Sequence, residues 1–316
     1  MTRPIFIIGV HRSGTTLLRY MLNSHPRIYL PPESDFIPRF FQRQPCAPMK
    51  RPQAIQNLDI IFSSYRFVRE WQGERPDPAA FVDRLPNLTP AAFLDALFRQ
   101  YASQFGAERW GDKTPIYTSY VDLIVQIFPT AQFVHLIRDG RDVALSMVDK
   151  WGQDEFHIDL YFAAQSWKKR LYQAFASAAQ LGPGRYYELR YEQLTADPEP
   201  LLREMCDFMG ETFVPAMVEP HRLGRERIRP DGFHAAVRRP PTTARTGRWR
   251  REMSPAEQRL FQAVAGHLLE QLGYETVDLG NMPLGEKAQF ARLHTKYTVL
   301  QAGRRILQAV GVFHPN

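Results

Sequence analysis

The sequence predicts an α/β protein: a parallel sheet flanked by helices, opened by a P-loop-like strand, loop and helix. Three observations carry this expectation. Residues 4–10 (PIFIIGV) form a continuous apolar, β-branched run ending at glycine, as in a strand buried on both faces of a parallel sheet. The pattern then changes to helical spacing at Leu17, Leu18, Met21 and Leu22. The same strand-to-helix grammar returns further along, and strands alternating with helices argue for βαβ units.

Taken in order, the first helix should stop at Asn23-Ser24-His25-Pro26. Residues 132–137 (QFVHLI) read as a second strand, leading through Arg138-Asp139-Gly140 into a helix that carries Val143, Met147 and Val148. Residues 186–191 read as a third strand and 200–209 as a helix. Pro- and Arg-rich stretches at 43–52 and 229–241 read as long loops. The 316 residues would allow two domains at roughly 100 to 200 residues each, yet no repeat or linker divides them. A single domain over 1–316 is therefore expected, with a basic loop at about 221–251 and a helical tail at about 286–310.

Composition narrows the class. A net charge of +7, with 44% hydrophobic and 23% charged residues, excludes a disordered or collagenous chain. Two cysteines, Cys46 and Cys206, are too few for a disulfide framework or a thiolate metal cage. The start lacks a signal-peptide pattern and no run of about twenty apolar residues occurs, so a cytoplasmic protein is expected. The charge is uneven: residues 221–251 hold ten arginines and two acids. Such a segment suits a polyanion, but neither a zinc finger nor an aromatic RNA-binding motif accompanies it, so no nucleic-acid partner is expected.

The loop Gly9-Val10-His11-Arg12-Ser13-Gly14-Thr15-Thr16 lies where backbone N–H groups and a helix N-terminus can surround an anion. Its glycines have nucleotide P-loop spacing, but Thr15 stands where a Walker loop needs lysine, and the cation comes earlier, at Arg12. An ATP-using kinase or NTPase is thereby the weaker reading. A non-enzymatic polyanion binder is the other alternative. Arg138 at the end of the second strand and Ser146, about two helical turns later, can converge on another phosphate. Two grips suggest a nucleotide phosphorylated at both ends of its ribose.

On these residues the chain resembles the PAPS-dependent sulfotransferases, whose donor is 3′-phosphoadenosine 5′-phosphosulfate (PAPS) and whose nucleotide product is adenosine 3′,5′-bisphosphate (PAP). The resemblance covers residues 4–39, 111–151 and 186–208, in the family's order. It implies a sulfotransferase, P-loop NTPase-like fold. It also implies that Arg12, Ser13, Gly14, Thr15 and Thr16 hold the 5′-phosphosulfate, that Arg138 and Ser146 hold the 3′-phosphate, and that Tyr191 lies near the adenine. Arg245, Thr246 and Gly247 look like the family's basic loop over the donor.

Among branches, RSGTTLLRYMLNSHP followed by Pro32-Glu33-Ser34-Asp35-Phe36-Ile37-Pro38-Arg39 is most similar to the tyrosylprotein sulfotransferases. Glu33 then matches the catalytic base, and Lys113, in Gly111-Asp112-Lys113-Thr114-Pro115, matches a lysine at the transferring sulfonate. His11 in place of proline, Asp35 in place of an acceptor-contacting arginine, and the missing membrane anchor point away from peptidyl tyrosine. The implied reaction is in-line sulfonate transfer, without a metal, to a hydroxyl or amine of a small molecule, saccharide, lipid or peptide. Glu33 would act as base, with Lys113 and Arg12 stabilising charge.

Histidine is the competing base. His135, on a strand, reads as core, and His25, before Pro26, as part of a helix stop, while His157 and His234 have no assignment. The acceptor pocket should come from about 40–109 and 156–170, whose aromatics Phe62, Tyr65, Phe67, Trp71, Tyr161, Phe162 and Trp167 suit an acceptor or a core equally. In the tail, Phe290, Leu293, Tyr297, Leu300, Ile306, Leu307 and Val310 lie among Lys287, Arg292, Lys296, Arg304 and Arg305. That helix either docks on its own domain or makes peripheral membrane contact.

Overall fold

The computed structural model describes residues 3–153, 158–222 and 238–309, with side chains to residue 303. Phe156, His157, His234, Val310 and residues 223–237 of the arginine-rich loop lie outside the described residues, as do the side chains of Arg304, Arg305, Ile306 and Leu307. Contacts cluster into two compact units. The first is Met1–Gly9, Gly14–Ile137 and Ala174–Thr242; the second is Val10–Ser13, Arg138–Gln173 and Thr243–Asn316.

The first unit carries the whole sheet: β1 (Ile5–Ile8), β2 (Ile28–Tyr29), β3 (Arg109–Lys113), β4 (Gln132–Ile137) and β5 (Tyr186–Arg190), in the order β2-β3-β1-β4-β5. Every pairing is parallel. Both faces of β1 are covered, which is why its sequence is continuously apolar instead of alternating. Ile5 and Ile7 pack with Leu18, Met21 and Leu22 of the helix Thr15–Asn23 and with Leu202 and Met205 of the helix Pro198–Met209. Phe6 and Ile8 face an aromatic core containing Trp110, Tyr117, Phe128 and Phe133. Because the strand order reverses on either side of β1, its exit is a switch point, the usual place for a ligand in an open α/β sheet.

The helices Arg51–Ser63 and Pro90–Ser103 fill the segment that sequence left unassigned. Phe62 and Phe67 are core there, meeting Trp71 and Tyr101 edge to face, and Tyr65 is exposed. Edge-to-face packing places a ring's positive rim on its neighbour's electron-rich face.

In the second unit the helix Gly140–Trp151 starts against Trp167, where a Cβ on Gly140 would meet the indole at 2.5 Å. Trp167 and Tyr161 are buried. The helix Pro255–Gln271 opens with a capping box in which Ser254 and Glu257 satisfy each other's backbone donors. The tail helix, Leu284–Ala309, packs Phe290 and Tyr297 on Tyr161 at 5.3 and 5.9 Å, and Lys296 pairs with Asp159 at 3.1 Å. Among the described residues no helix is long and apolar enough to cross a membrane.

Candidate active site

In the first unit, the helix Thr15–Asn23 begins after Gly14, which has φ +95° and gives no side-chain cap. No acid occupies the first turn, so neither a cap nor a carboxylate competes with a bound anion for its backbone donors. A Cβ at Gly14 would lie 2.4 Å from the Tyr191 ring, so this close approach requires glycine. Gly9 is fastened in both directions by Thr118: its N–H donates to Oγ1 at 2.9 Å, and the hydroxyl donates back to its carbonyl at 3.0 Å.

Lys113 ends β3 and is buried, with Nζ donating to Glu33 Oε1 at 2.5 Å and to Thr16 Oγ1 at 3.5 Å. Burial holds the ammonium pKa below its ordinary value, and the Glu33 charge opposes that shift. The Glu33 side chain is 34% exposed, and its second oxygen lies 4.0 Å from the exposed Arg66 guanidinium. The base candidate is thus reachable from solvent while the lysine is not.

Sequence reasoning missed what fixes this pair. Asp112, fully buried one residue before Lys113, accepts hydrogen bonds from Ser34 Oγ and, at 3.0 Å, from Thr114 Oγ1. The Ser34 N–H donates to Thr114 Oγ1 at 3.0 Å, and the Ser34 hydroxyl shares a 2.9 Å hydrogen bond with the Tyr117 hydroxyl. The segment bearing Glu33 is therefore tied to the strand bearing Lys113. Burial pushes the Asp112 carboxyl up to about 7, against the pull of its hydroxyl donors. Next along, Asp35 adopts a left-handed φ of +56°, is half-buried, and has its pKa raised by desolvation.

In the second unit, Arg12 has a left-handed φ of +71° and its Nε donates to Ser146 Oγ at 3.0 Å. Arg138, buried directly after β4, donates to the Arg12 carbonyl at 2.9 Å and to the Arg245 carbonyl at 2.6 Å. Arg12 therefore joins the grip expected of Arg138 and Ser146. A cavity of about 460 Å³ is lined by Arg12, Ser146, Lys150, Ala244, Arg245 and Arg248, with Asp149 and Glu252. Four cations face two carboxylates, and Arg248 is ion-paired to both acids, at 2.9 and 2.6 Å. The cavity keeps a net positive charge suited to a phosphate.

The residues fit an anionic nucleotide on direct observations. The Ser13 and Thr246 hydroxyl oxygens are buried with no hydrogen-bond partner among the described residues, which is costly unless a ligand or water satisfies them. The turn bearing Arg245 is held from below. Fully buried Asp142 accepts the N–H of Gly247 at 2.7 Å and of Trp249 at 3.0 Å. Gly247, at φ +68°, thus brings a left-handed turn while its amide is committed to Asp142. Arg141, bonded to both oxygens of Asp139, stacks over Trp249 at 3.4 Å.

The first unit brings Thr16, Glu33 and Lys113 together and seats Tyr191 against Gly14, where the Thr15 methyl packs at Gly9. The second brings Arg12, Arg138, Ser146 and Arg245 together. His135 is core: Nδ1 meets the Tyr186 hydroxyl, and burial depresses its pKa to about 3. His25 closes a helix end, with Nε2 at 2.8 Å from the Thr212 carbonyl.

Comparison with known proteins agrees. The sequence profile of the Sulfotransferase family matches residues 4–215, and the chain belongs to that family. An uncharacterised protein of Aquifex aeolicus is 30% identical over 239 residues, 71% of this chain and 27% of the relative. A protein-tyrosine sulfotransferase of Drosophila melanogaster is 27% identical over 207 residues, 65% of this chain and 37% of the relative. An omega-hydroxy-beta-dihydromenaquinone-9 sulfotransferase of Mycobacterium bovis is 28% identical over 244 residues, 66% of this chain and 62% of the relative. The chain spans between about a quarter and a half of the length of the first three relatives it matches. The sulfotransferase domain of the curacin biosynthetic pathway shares the fold, with a TM-score of 0.60 at 22% identity, covering 88% of this chain and 99% of that domain.

Proposed function

We propose that the chain moves a sulfonate group in line from PAPS to a hydroxyl or amine acceptor, with Glu33 as general base. The observation that carries this reading is the buried Lys113 ammonium, bonded at once to Glu33 and to Thr16 of the anion-binding helix. PAPS supplies an activated sulfonate on a phosphate leaving group. Thr15, Thr16 and the Gly14 turn, with Ser13, hold its 5′ end, while Arg12, bonded to Ser146, joins the grip on the 3′-phosphate. Arg138 and Ser146 take the 3′-phosphate, Tyr191 flanks the adenine, and Arg245, Thr246 and Gly247 cover the nucleotide.

Glu33 takes the acceptor's proton at a carboxylate oxygen. Lys113 balances negative charge developing on the leaving oxygen, worth on the order of 3 kcal/mol by comparison with a lost oxyanion donor. The donor pair Lys113 and Thr16 also keeps the sulfonate oriented, so that binding energy is converted into geometry. For the acceptor, Asp35 beside Glu33 marks a departure from the arginine of the tyrosylprotein branch. The acceptor class proposed is a small molecule, saccharide, lipid or peptide bearing an ionisable OH or NH.

Sulfur-labelled PAPS incubated with the protein and fractionated extract from its own source should label one compound, identified by its mass gain. Glu33→Gln should still bind PAP while labelling falls by about 10²- to 10⁴-fold. Undiminished labelling by this variant would remove Glu33 as base.

A further inference from the structure

The proposed site explains Arg138, Ser146 and the residues of the 245–247 turn, but it leaves a fully buried carboxylate unused. Asp142 lies one helical turn after Arg138 in the helix Gly140–Trp151, 0% exposed, with Arg138 at 3.9 Å. A lone carboxylate in such a place is costly unless its charge is satisfied. Its two oxygens are divided between two backbone donors of one distant turn: Oδ2 accepts the Gly247 N–H at 2.7 Å and Oδ1 the Trp249 N–H at 3.0 Å. Both are charge-assisted hydrogen bonds to main chain, the kind that fixes a loop's position instead of a side chain's.

The consequence falls on the cavity. The same turn presents the Arg245 carbonyl to Arg138, and Ala244, Arg245 and Arg248 line the cavity beside Arg12 and Ser146. Gly247 can follow this path because its φ of +68° admits no strain-free side chain. The Arg141 guanidinium stacks on the Trp249 ring at 3.4 Å. From this geometry we infer that Asp142 is a positioning residue: it clamps the 245–249 turn over the anion cavity, and so sets how strongly the site prefers a nucleotide with a 3′-phosphate over one without.

This inference rests on the proposed nucleotide reading, and the test separates the two. Calorimetry measures PAP and adenosine 5′-monophosphate against wild type, Asp142→Asn and Asp142→Ala, with thermal melts of each. Wild type is expected to prefer PAP. In Asp142→Asn, which keeps the shape but loses the charge and turns one of the two acceptor oxygens into a donor, PAP affinity should fall by roughly tenfold to a hundredfold, the loss expected when a hydrogen bond to a charged group is removed. The 5′-monophosphate should bind as in wild type. An unchanged preference in Asp142→Asn would overturn the inference alone, whereas a wild type without preference would overturn the nucleotide reading itself.

A variant that does not fold leaves a second arm on the wild-type protein. Hydrogen exchange at the Gly247 and Trp249 amides should slow when PAP binds and remain unaltered with 5′-monophosphate. Equal slowing by both nucleotides would overturn the clamp.

Discussion

Asp112 supplies charge behaviour that an exposed acid would not. Its folded pKa of about 7 lies well above the ordinary aspartate value near 4, so between those limits the folded chain keeps a proton that the unfolded chain has lost. That contribution to stability is complete at low pH and is lost as pH rises through the folded value. Asp112→Asn cannot ionise. Urea melts across pH 4 to 7 should therefore show wild type losing ground against the variant as pH increases, and a constant difference would mean that Asp112 is ionised throughout. His135, depressed to about 3, has the opposite sign: its share of stability is lost as pH falls below about 6.5. The motif Gly111-Asp112-Lys113-Thr114-Pro115 was visible as a string, but nothing in the string says which of Asp112 and Lys113 faces the hydroxyls and which the glutamate. Only the strand's alternation and the return of Ser34 decide that.

At the level of elements, strand β4 agrees residue for residue with its sequence reading, because Phe133, Val134, Leu136 and Ile137 form an apolar stretch stopped sharply by Arg138-Asp139-Gly140. The helix Pro198–Met209 begins two residues before the expected start, at a proline that the first turn accepts without losing a hydrogen bond. The two-residue strand β2 was invisible, being too short to show any period. The helix Arg51–Ser63 was missed for a different reason: it follows a Pro-rich loop, and its buried positions Ala54, Asn57, Leu58, Ile61 and Phe62 include an asparagine that interrupts the apolar stripe. Two element-level outcomes follow. Gly14→Ala places a methyl in the Tyr191 ring at a left-handed φ, so calorimetry should find PAP binding lost and melting lowered. Ser254→Ala removes one half of a capping box, and denaturant melts should report a loss of about 1 kcal/mol with nucleotide affinity unchanged.

For the molecule as a whole, charge and chemistry are unevenly distributed. The chain carries +7, yet residues 221–251 alone hold ten arginines against two acids. Within the described part of that segment, 221–222 and 238–251, the 243–249 turn is built into a cavity wall by Asp142 and Arg138. Composition could announce a polyanion partner but could not show this use of arginine, since the buried acid that organises the turn lies about a hundred residues away in sequence. The candidate nucleotide residues were legible for the opposite reason: loop, grip and lysine are local motifs at strand exits, where chain direction alone fixes which residues come next.

The central claim is that this chain grips a nucleotide at two phosphate positions without a metal. Titration calorimetry of PAP in EDTA-containing buffer tests it most directly, using wild type and Arg138→Ala. The expected result is one-to-one binding by wild type that the variant weakens severely, by at least tenfold for loss of a charge-assisted contact worth about 1.5 kcal/mol or more. No binding by wild type in EDTA, or equal binding by both proteins, would contradict it.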